Sequence, residues 1–212
     1  HSVLISGTSC PDGRDSLAGA LAASASSLQC ADTTCDDVAF WLYTSGSTGA
    51  PKGAMHLQRD LYFTAATYGD QVLGIREDDV VFSAAKLFFA YGLGNGMTFP
   101  LHVGATAVLL DERPTPQAVM SVMKAHRATI FFGVPTLYSA MLADQTVTPD
   151  TGSDSLRACV SAGEALPQAV AERWTKRFGL NILDGIGTTE ILHIFLSNRP
   201  NAWRHETSGV AV

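Results

Sequence analysis

Short apolar runs alternate with segments of helix length along most of this chain, and this alternation constrains its fold more than any other feature. Residues 105–110 and 128–132 contain few polar side chains, as expected of strands that are covered on both faces. Strands that alternate with helices predict an α/β fold with largely parallel sheets flanked by helices. The predicted strands are residues 3–6, 38–43, 80–83, 105–110, 128–132, 158–161, 181–184 and 191–196.

Four segments between these strands carry helix signals. Apolar residues recur every three or four positions from Leu57 to Val72, which predicts one buried helix face. Thr115 and Pro116 form an N-cap and first-turn pair that opens a helix to about residue 126. Prolines open two more predicted helices, 135–143 and 167–177. The polar stretches 22–37 and 144–155 are expected to be surface connections.

Composition narrows the class of protein. The 212 residues are 46% hydrophobic and 16% charged, which predicts a packed globular chain. A net charge of -6 without a basic tract argues against a nucleic-acid partner. The apolar runs are too short to span a membrane. The four cysteines form no C-x-x-C pair, so we expect buried or inert thiols in a reducing cytoplasm rather than zinc or disulfides.

The segment 43–53, Y-T-S-G-S-T-G-A-P-K-G, combines hydroxyls, glycines and a lysine directly after a predicted strand. Backbone N–H groups in such a loop can form an anion-binding concavity, and Lys52 suits a phosphate. Pro51 and Gly53 flank the lysine, so the loop lacks the G-K-[ST] ending of a P-loop hydrolase. The predicted phosphate-binding residues are Thr44, Ser45, Gly46, Ser47, Thr48, Gly49 and Lys52.

Two further segments follow predicted strands, where ligands gather in α/β proteins. The segment 184–190 reads D-G-I-G-T-T-E; in it, Thr189 can donate to a phosphate oxygen and Glu190 can hold Mg²⁺. The segment 161–167, S-A-G-E-A-L-P, is a predicted strand-to-helix turn whose backbone can meet a flat ligand.

The segments 86–95 and 192–198 indicate a further site. The first, K-L-F-F-A-Y-G-L-G-N, gathers three aromatic residues and three small residues in a stretch predicted to be rich in turns. In the second, L-H-I-F-L-S-N, His193 closely follows the Thr189–Glu190 pair. On its own, a histidine in this position is more often a satisfied core residue than part of a site.

The phosphate loop closely resembles that of the adenylate-forming superfamily, which includes acyl-CoA synthetases, luciferases and the adenylation domains of peptide synthetases. The resemblance implies transfer of AMP from ATP to a carboxylate, with Lys52, Thr189 and Glu190 in catalytic roles and Glu190 binding Mg²⁺. It also implies an adenine site. The residues it assigns to the nucleotide, besides those of the phosphate loop, are Gly163, Glu164, Ala165, Asp184, Gly185, Ile186, Gly187, Thr188 and Thr189. The family often has an aromatic residue at the position of Ile186.

Within that superfamily, F-F-A-Y-G-L-G-N and T-E-x-L-H-I-F-L-S-N-R-P resemble the benzoate-CoA ligases. This resemblance implies an aryl carboxylate as substrate and coenzyme A as the second acceptor. Tyr91 is expected beside the carboxylate that is activated. The residues assigned to the aryl acid are Ala90, Tyr91, Gly92, Gly187 and His193.

The resemblance also predicts how the chain is organised. Residues 1–85 are expected to belong to a first α/β subdomain with the phosphate loop, 86–190 to a second with the adenine and aryl sites, and 191–212 to the next β segment. Members of the superfamily carry a C-terminal lysine-bearing domain that completes the site, and it has no counterpart here. We therefore expect an internal piece of the large N-terminal domain, with little ligase turnover by itself. Two alternatives stay open: a non-catalytic nucleotide-binding module, and a ligase for another carboxylic acid.

Overall fold

The structure is a computed structural model, and it describes residues 4–5, 10–11, 14–44, 49–204 and 206–212. It divides the chain into two compact units, 1–34 and 35–212. In the first unit, strand β1 (Leu4–Ile5) pairs in parallel with β2 (Asp15–Ser16), and helix α1 (Leu17–Ala23) follows. The Ser16 side chain caps this helix by accepting a hydrogen bond from the Gly19 N–H.

The second unit is built of strands and helices in alternation. Its elements are, in chain order, β3 (Val38–Thr44), β4 (Lys52–Leu57), α2 (Gln58–Thr64), β5 (Val80–Ser83), α3 (Ala90–Leu93), α4 (Phe99–Val103), β6 (Thr106–Leu109), α5 (Pro116–Ala125), β7 (Ile130–Gly133), α6 (Pro135–Ala143), β8 (Ala158–Ser161), α7 (Gln168–Phe178), β9 (Ile182–Gly187), β10 (Ile194–Ser197) and β11 (Val210–Ala211). Helix α2 continues into a π-helical segment, Ala65–Val72, and a second such segment, Gly94–Thr98, joins α3 to α4.

A seven-stranded sheet in the order β11-β10-β9-β8-β7-β5-β6 is the centre of this unit. Strands β6, β5, β7, β8 and β9 are parallel, whereas β10 and β11 join one edge antiparallel. The predicted α/β class is confirmed. Strand β5, which precedes residue 85, pairs with β6 and β7, which follow it, so one sheet contains strands from both sides of that residue. The predicted division into subdomains at residue 85 stays a prediction.

Successive side chains of the central strands enter the two different cores that cover the sheet. Phe131 packs on the face covered by α5, α6 and α7, where Trp174 is fully buried. Ile130 and Phe132 point to the opposite face and pack with Tyr68 and Phe99. Burial on both faces explains why these strands are apolar throughout.

Several features differ from the sequence predictions. Strand β6, expected to be covered on both faces, is an edge strand in which only Val108 is buried. Strand β4 was not predicted, and it pairs antiparallel with β3 as a hairpin. The stretch expected to be rich in turns is helical from Ala90 onward, because Gly92, Gly94 and Gly96 allow the close packing described below. Of the four thiols, Cys159 is buried and the other three are exposed. Over the ranges that the structure describes, no helix has the length and hydrophobicity that a membrane span requires.

Candidate active site

A cavity of about 500 Å³ lies where the parallel strands end. Its wall comes from residues that follow β5 to β8 and from the end of β9, because the carboxyl ends of parallel strands meet at one edge of a sheet. Four of the residues assigned to the aryl acid line it together: Ala90, Tyr91, Gly187 and His193. We call this space the acid cavity. The lining also includes Thr188 and Thr189.

His193 forms the back of the acid cavity, and its side chain is almost completely buried. Its Nε2 atom lies 3.0 Å from Oδ1 of Asn95 and 3.3 Å from the carbonyl oxygen of Tyr91. The ring packs against Phe99 with a centroid separation of 4.5 Å, and against Tyr68 at 5.2 Å. Burial lowers the pKa of His193 to about 3, with the Tyr91 carbonyl opposing the shift. The imidazole is therefore neutral at physiological pH.

Tyr91 contributes its ring to the cavity, while its hydroxyl group is turned toward the sheet. The hydroxyl is 3.1 Å from the Gly133 carbonyl and 3.3 Å from the Val160 carbonyl, at the ends of β7 and β8. A group so engaged positions the ring and is not free to hold a carboxylate. Gly92 lies outside the lining, and a Cβ added there would clash with the carbonyl of Lys86. Its contact with the acid stays a prediction.

A second cavity, of about 550 Å³, adjoins the first. It is lined by the segment 163–165, which is assigned to adenine, and by the segment 184–187, which is assigned to the nucleotide. Gly163 has φ +90, and a Cβ added there would meet nothing within 4 Å, so its backbone leaves a flat open surface. We call this space the base cavity. Gly163 and Gly187 line both cavities, so the acid and base cavities meet at these two residues.

Asp184 is the partly buried acid of the base cavity. It lies on β9 directly opposite Ser161 of β8. Burial raises the pKa of Asp184 to about 6, and the Ser161 hydroxyl and the Gly185 N–H oppose this shift. The carboxyl group is therefore an acceptor above this pH and a donor below it.

The far wall of the base cavity was not predicted from the sequence. It is formed by Asn198 together with residues 203–204 and 206–208. The buried Asn198 donates to the Thr207 carbonyl at 2.5 Å and accepts from the Arg204 N–H at 3.0 Å. Trp203 donates from Nε1 to the Ile182 carbonyl at 2.9 Å. A buried asparagine that bonds only to backbone organises a loop, and no local sequence pattern marks it.

The predicted phosphate loop connects β3 to β4. Thr44 and Lys52 are register partners at the end of this hairpin next to the loop, and Lys52 is exposed. Gly49 has φ +83, which favours glycine. Ser45, Gly46, Ser47 and Thr48 lie outside the described residues, so the predicted anion-binding concavity stays a prediction.

Glu190 is exposed and lines a third cavity, of about 280 Å³, together with His56 and Asp60 from β4 and α2. The T-E segment is thus next to the elements that follow the phosphate loop. Over the described part of the chain, no group of three or more His, Cys, Asp or Glu side chains is arranged to hold a metal ion. A single carboxylate fits Mg²⁺ where phosphate oxygens supply the remaining ligands.

Comparisons with known proteins show which proteins this chain is similar to. The family model described as AMP-binding enzyme matches residues 2–212. The benzoate–CoA ligase of Thauera aromatica is 60% identical over 200 residues, which are 94% of this chain and 38% of that protein. The chain therefore spans well under half of this relative.

Two solved structures share the fold. A benzoate CoA ligase from Burkholderia xenovorans LB400 matches with a TM-score of 0.87 and 52% identity, over 94% of this chain and 40% of that one. The anthranilate CoA ligase AuaEII, in complex with anthranoyl-AMP, matches with a TM-score of 0.95 and 39% identity, over 100% of this chain and 41% of that one. By the match along almost its whole length, this chain belongs to the AMP-binding enzyme family.

Proposed function

We propose that this chain is the nucleotide- and acid-binding part of an AMP-forming ligase that activates benzoate, or a close aryl carboxylate, for transfer to coenzyme A. The acid and base cavities, which meet at Gly163 and Gly187, carry the proposal. An aryl-AMP needs this arrangement, with its ring on one side of a shared boundary and its adenine on the other. The 60% identity to a benzoate–CoA ligase supports the choice of acid.

The reaction has two steps. A carboxylate oxygen attacks the α-phosphorus of ATP, the bond to the β-phosphate oxygen breaks, and pyrophosphate leaves with its electron pair. The thiolate sulfur of coenzyme A then attacks the acyl carbon, and AMP leaves. Because the carboxylate and the phosphates are both anionic, the barrier falls chiefly through positioning and electrostatic stabilisation.

The residues of this chain divide those tasks. The acid cavity orients the ring through His193, Tyr91 and Ala90. Thr189, which lines the same cavity, would donate to the α-phosphate, and Lys52 would offset phosphate charge. Mg²⁺, held by Glu190 with phosphate oxygens, would supply further charge neutralisation.

The remaining length of the complete polypeptide is proposed to supply the coenzyme A contacts and the lysine that promotes adenylation. We also propose a cytoplasmic location, because ATP and coenzyme A are available there and exposed thiols such as Cys30 and Cys35 persist in a reducing compartment.

Carboxylate-dependent exchange of labelled pyrophosphate into ATP tests the proposal. The complete natural polypeptide that contains these 212 residues is assayed with benzoate, 2-aminobenzoate, acetate and a long-chain fatty acid. We expect benzoate to give the fastest exchange, since the acid cavity has a size typical of small-molecule sites and a mainly apolar lining.

The other outcomes have defined meanings. Faster exchange with acetate or a fatty acid would keep the adenylation chemistry and overturn the aryl assignment. No exchange with any acid, together with measurable binding of ATP, would favour the non-catalytic nucleotide-binding module.

A further inference from the structure

Lys86 connects two loops at the edge of the sheet where the acid cavity opens. It follows β5, and its Nζ atom donates to the carbonyl oxygens of Leu110 and Glu112, the latter at 2.9 Å. Both carbonyls belong to the segment that follows β6. A half-buried ammonium group that bonds to two carbonyls makes charge-assisted hydrogen bonds, which are stronger than those between neutral groups.

Each of these loops forms part of the wall of the acid cavity. Ala84, Ala85 and Lys86 contribute from the first loop, and Pro114 contributes from the second. Among the described lining residues, Lys86 is the only one with a side chain that is charged at neutral pH. Its ammonium group donates to the two backbone carbonyls rather than pointing into the cavity as an unpaired charge.

The backbone of Lys86 is fixed independently of the second loop. The Ala84 N–H donates to the Phe132 carbonyl at 3.1 Å, and the Phe89 N–H donates to the Lys86 carbonyl at 3.1 Å. A Cβ added at Gly92 would lie 2.1 Å from that same carbonyl oxygen, so helix α3 packs directly against it. Lys86 therefore extends from a rigid base, and the loop that holds Pro114 is the part that it can immobilise.

We propose that Lys86 is a positioning residue that fixes the Pro114 side of the acid cavity and thereby sets which ring substituents the cavity accepts. The inference rests on the proposed function, because it assigns the cavity to an aryl acid. Lys86 acts through the 110–114 segment and contacts no reacting atom in this role.

The test compares Lys86→Met, which keeps the aliphatic stem and removes the donors, with Lys86→Arg, which keeps them. Lys124→Met is the matched control, because Lys124 also donates from Nζ to a backbone carbonyl, that of Asp150 at 2.9 Å, and lies outside the acid cavity. The readouts in the complete polypeptide are the KM values for benzoate, 4-methylbenzoate and ATP in pyrophosphate exchange. Amide hydrogen exchange of residues 110–113 is measured in parallel.

We expect Lys86→Met to raise the KM for benzoate by about tenfold and to change the preference for benzoate over 4-methylbenzoate by about fivefold. The KM for ATP and kcat should stay within about twofold of the values for the unsubstituted protein. Exchange at 110–113 should become faster. Lys86→Arg should keep the KM for benzoate close to that of the unsubstituted protein. Lys124→Met should match the unsubstituted protein in every readout.

The results separate this inference from the proposed function. Unchanged amide exchange in a folded Lys86→Met protein overturns the inference, as does a fall in kcat with both KM values for the acids unchanged. If Lys86→Met does not fold, Pro114→Gly serves in its place, and unchanged acid preference in that variant overturns the inference. Absence of pyrophosphate exchange with every acid in the unsubstituted protein refutes the ligase assignment and, with it, the substrate preference. Amide hydrogen exchange of residues 110–113 still decides whether Lys86 holds the loop.

Discussion

The imidazole Nε2 of His193 and the carboxamide Oδ1 of Asn95 lie 3.0 Å apart and join residues that are 98 positions apart in the sequence. The carbonyl oxygen of Tyr91, the other group near Nε2, can only accept a hydrogen bond. Nε2 therefore carries the proton, and Nδ1 holds a lone pair in a buried position where the described residues provide no partner. The neutral ring is fixed in one orientation behind the acid cavity.

The first prediction concerns this pair. Asn95→Leu removes the acceptor but keeps a similar volume, and we expect kcat/KM for benzoate to fall by about tenfold because the ring loses its orientation. His193→Gln should have a similar effect. The double variant should be no worse than the more damaged single variant, which gives a coupling energy of about 1.4 kcal/mol in a double-mutant cycle. Additive losses would show that the two side chains act separately.

The second prediction concerns Gly94. A Cβ added there would lie 2.4 Å from Cδ2 of His193 and 2.8 Å from Cζ of Phe99. Because both rings are buried, Gly94→Ala should displace His193 and raise the KM for benzoate by about tenfold. Gly69→Ala is the matched control, since its Cβ would meet the same Phe99 at 3.1 Å and its three nearest atoms all belong to Phe99 rather than to His193. A rise in KM of equal size in both variants would assign the effect to Phe99.

The third prediction follows from two opposing pKa shifts. The pKa of His193 falls to about 3 through burial, so between that pH and about 6.5 the unfolded chain binds a proton that the folded chain excludes. The free energy of unfolding therefore decreases on acidification, by at most about 1.4 kcal/mol per pH unit. Burial raises the pKa of Asp184 to about 6, so between about pH 6 and 4 the folded chain binds a proton that the unfolded chain does not. Through Asp184, acidification over this range therefore increases the free energy of unfolding.

Urea unfolding of the 212-residue chain between pH 4 and 7 separates these two contributions. Asp184→Asn should lose stability on acidification more steeply than the unsubstituted chain. His193→Gln should lose it less steeply, or gain. Parallel curves for all three proteins would contradict both assignments.

Local patterns predicted the central parallel strands well, because a strand buried on both faces must be apolar throughout. Strand β6 is the exception: the sequence indicated burial on both faces, but β6 lies at the edge of the sheet and Leu109 is 50% exposed. Residues 130–133 and 158–161 are fully buried, and both were recognisable from composition alone. Thr115 caps helix α5 as predicted, by accepting from the Ala118 N–H. Such features depend only on neighbours in the chain.

Strand β4 was missed because its sequence, K-G-A-M-H-L, has no β-branched residue and is stabilised by pairing with β3. The helical stretch from Ala90 was missed for a related reason. Its glycines usually indicate turns, but here Gly94 and Gly96 make room for His193 and Leu109 from other elements. The roles of Lys86 and Trp203 likewise depend on contacts between residues that are distant in the sequence.

A hydrogen-bonded network lies at the amino ends of β5, β7 and β8, opposite the end where the cavities lie. It consists of Asp79, Thr129 and Arg157. Arg157 donates to both carboxylate oxygens of Asp79, at 2.9 and 2.5 Å, and Thr129 donates at 2.6 Å. Burial alone would raise the pKa of Asp79, but these hydrogen bonds and one from the Arg76 N–H outweigh it and lower the pKa to about 2. The network links the starts of three strands and lies outside both cavities.

The last prediction is that Arg157→Met destabilises the chain by about 3 kcal/mol, because it leaves the almost fully buried Asp79 carboxylate without its charged partner. The loss should shrink as the pH falls toward about 2, where Asp79 in the unsubstituted chain takes up a proton and its pair with Arg157 weakens. Arg76→Met is the control, since Arg76 pairs with Asp78 at 3.3 Å between side chains that are 64% and 77% exposed. Removing an exposed pair should cost less than about 1 kcal/mol. Urea unfolding measures both variants, and equal losses would mean that burial does not set the strength of the Asp79–Arg157 pair.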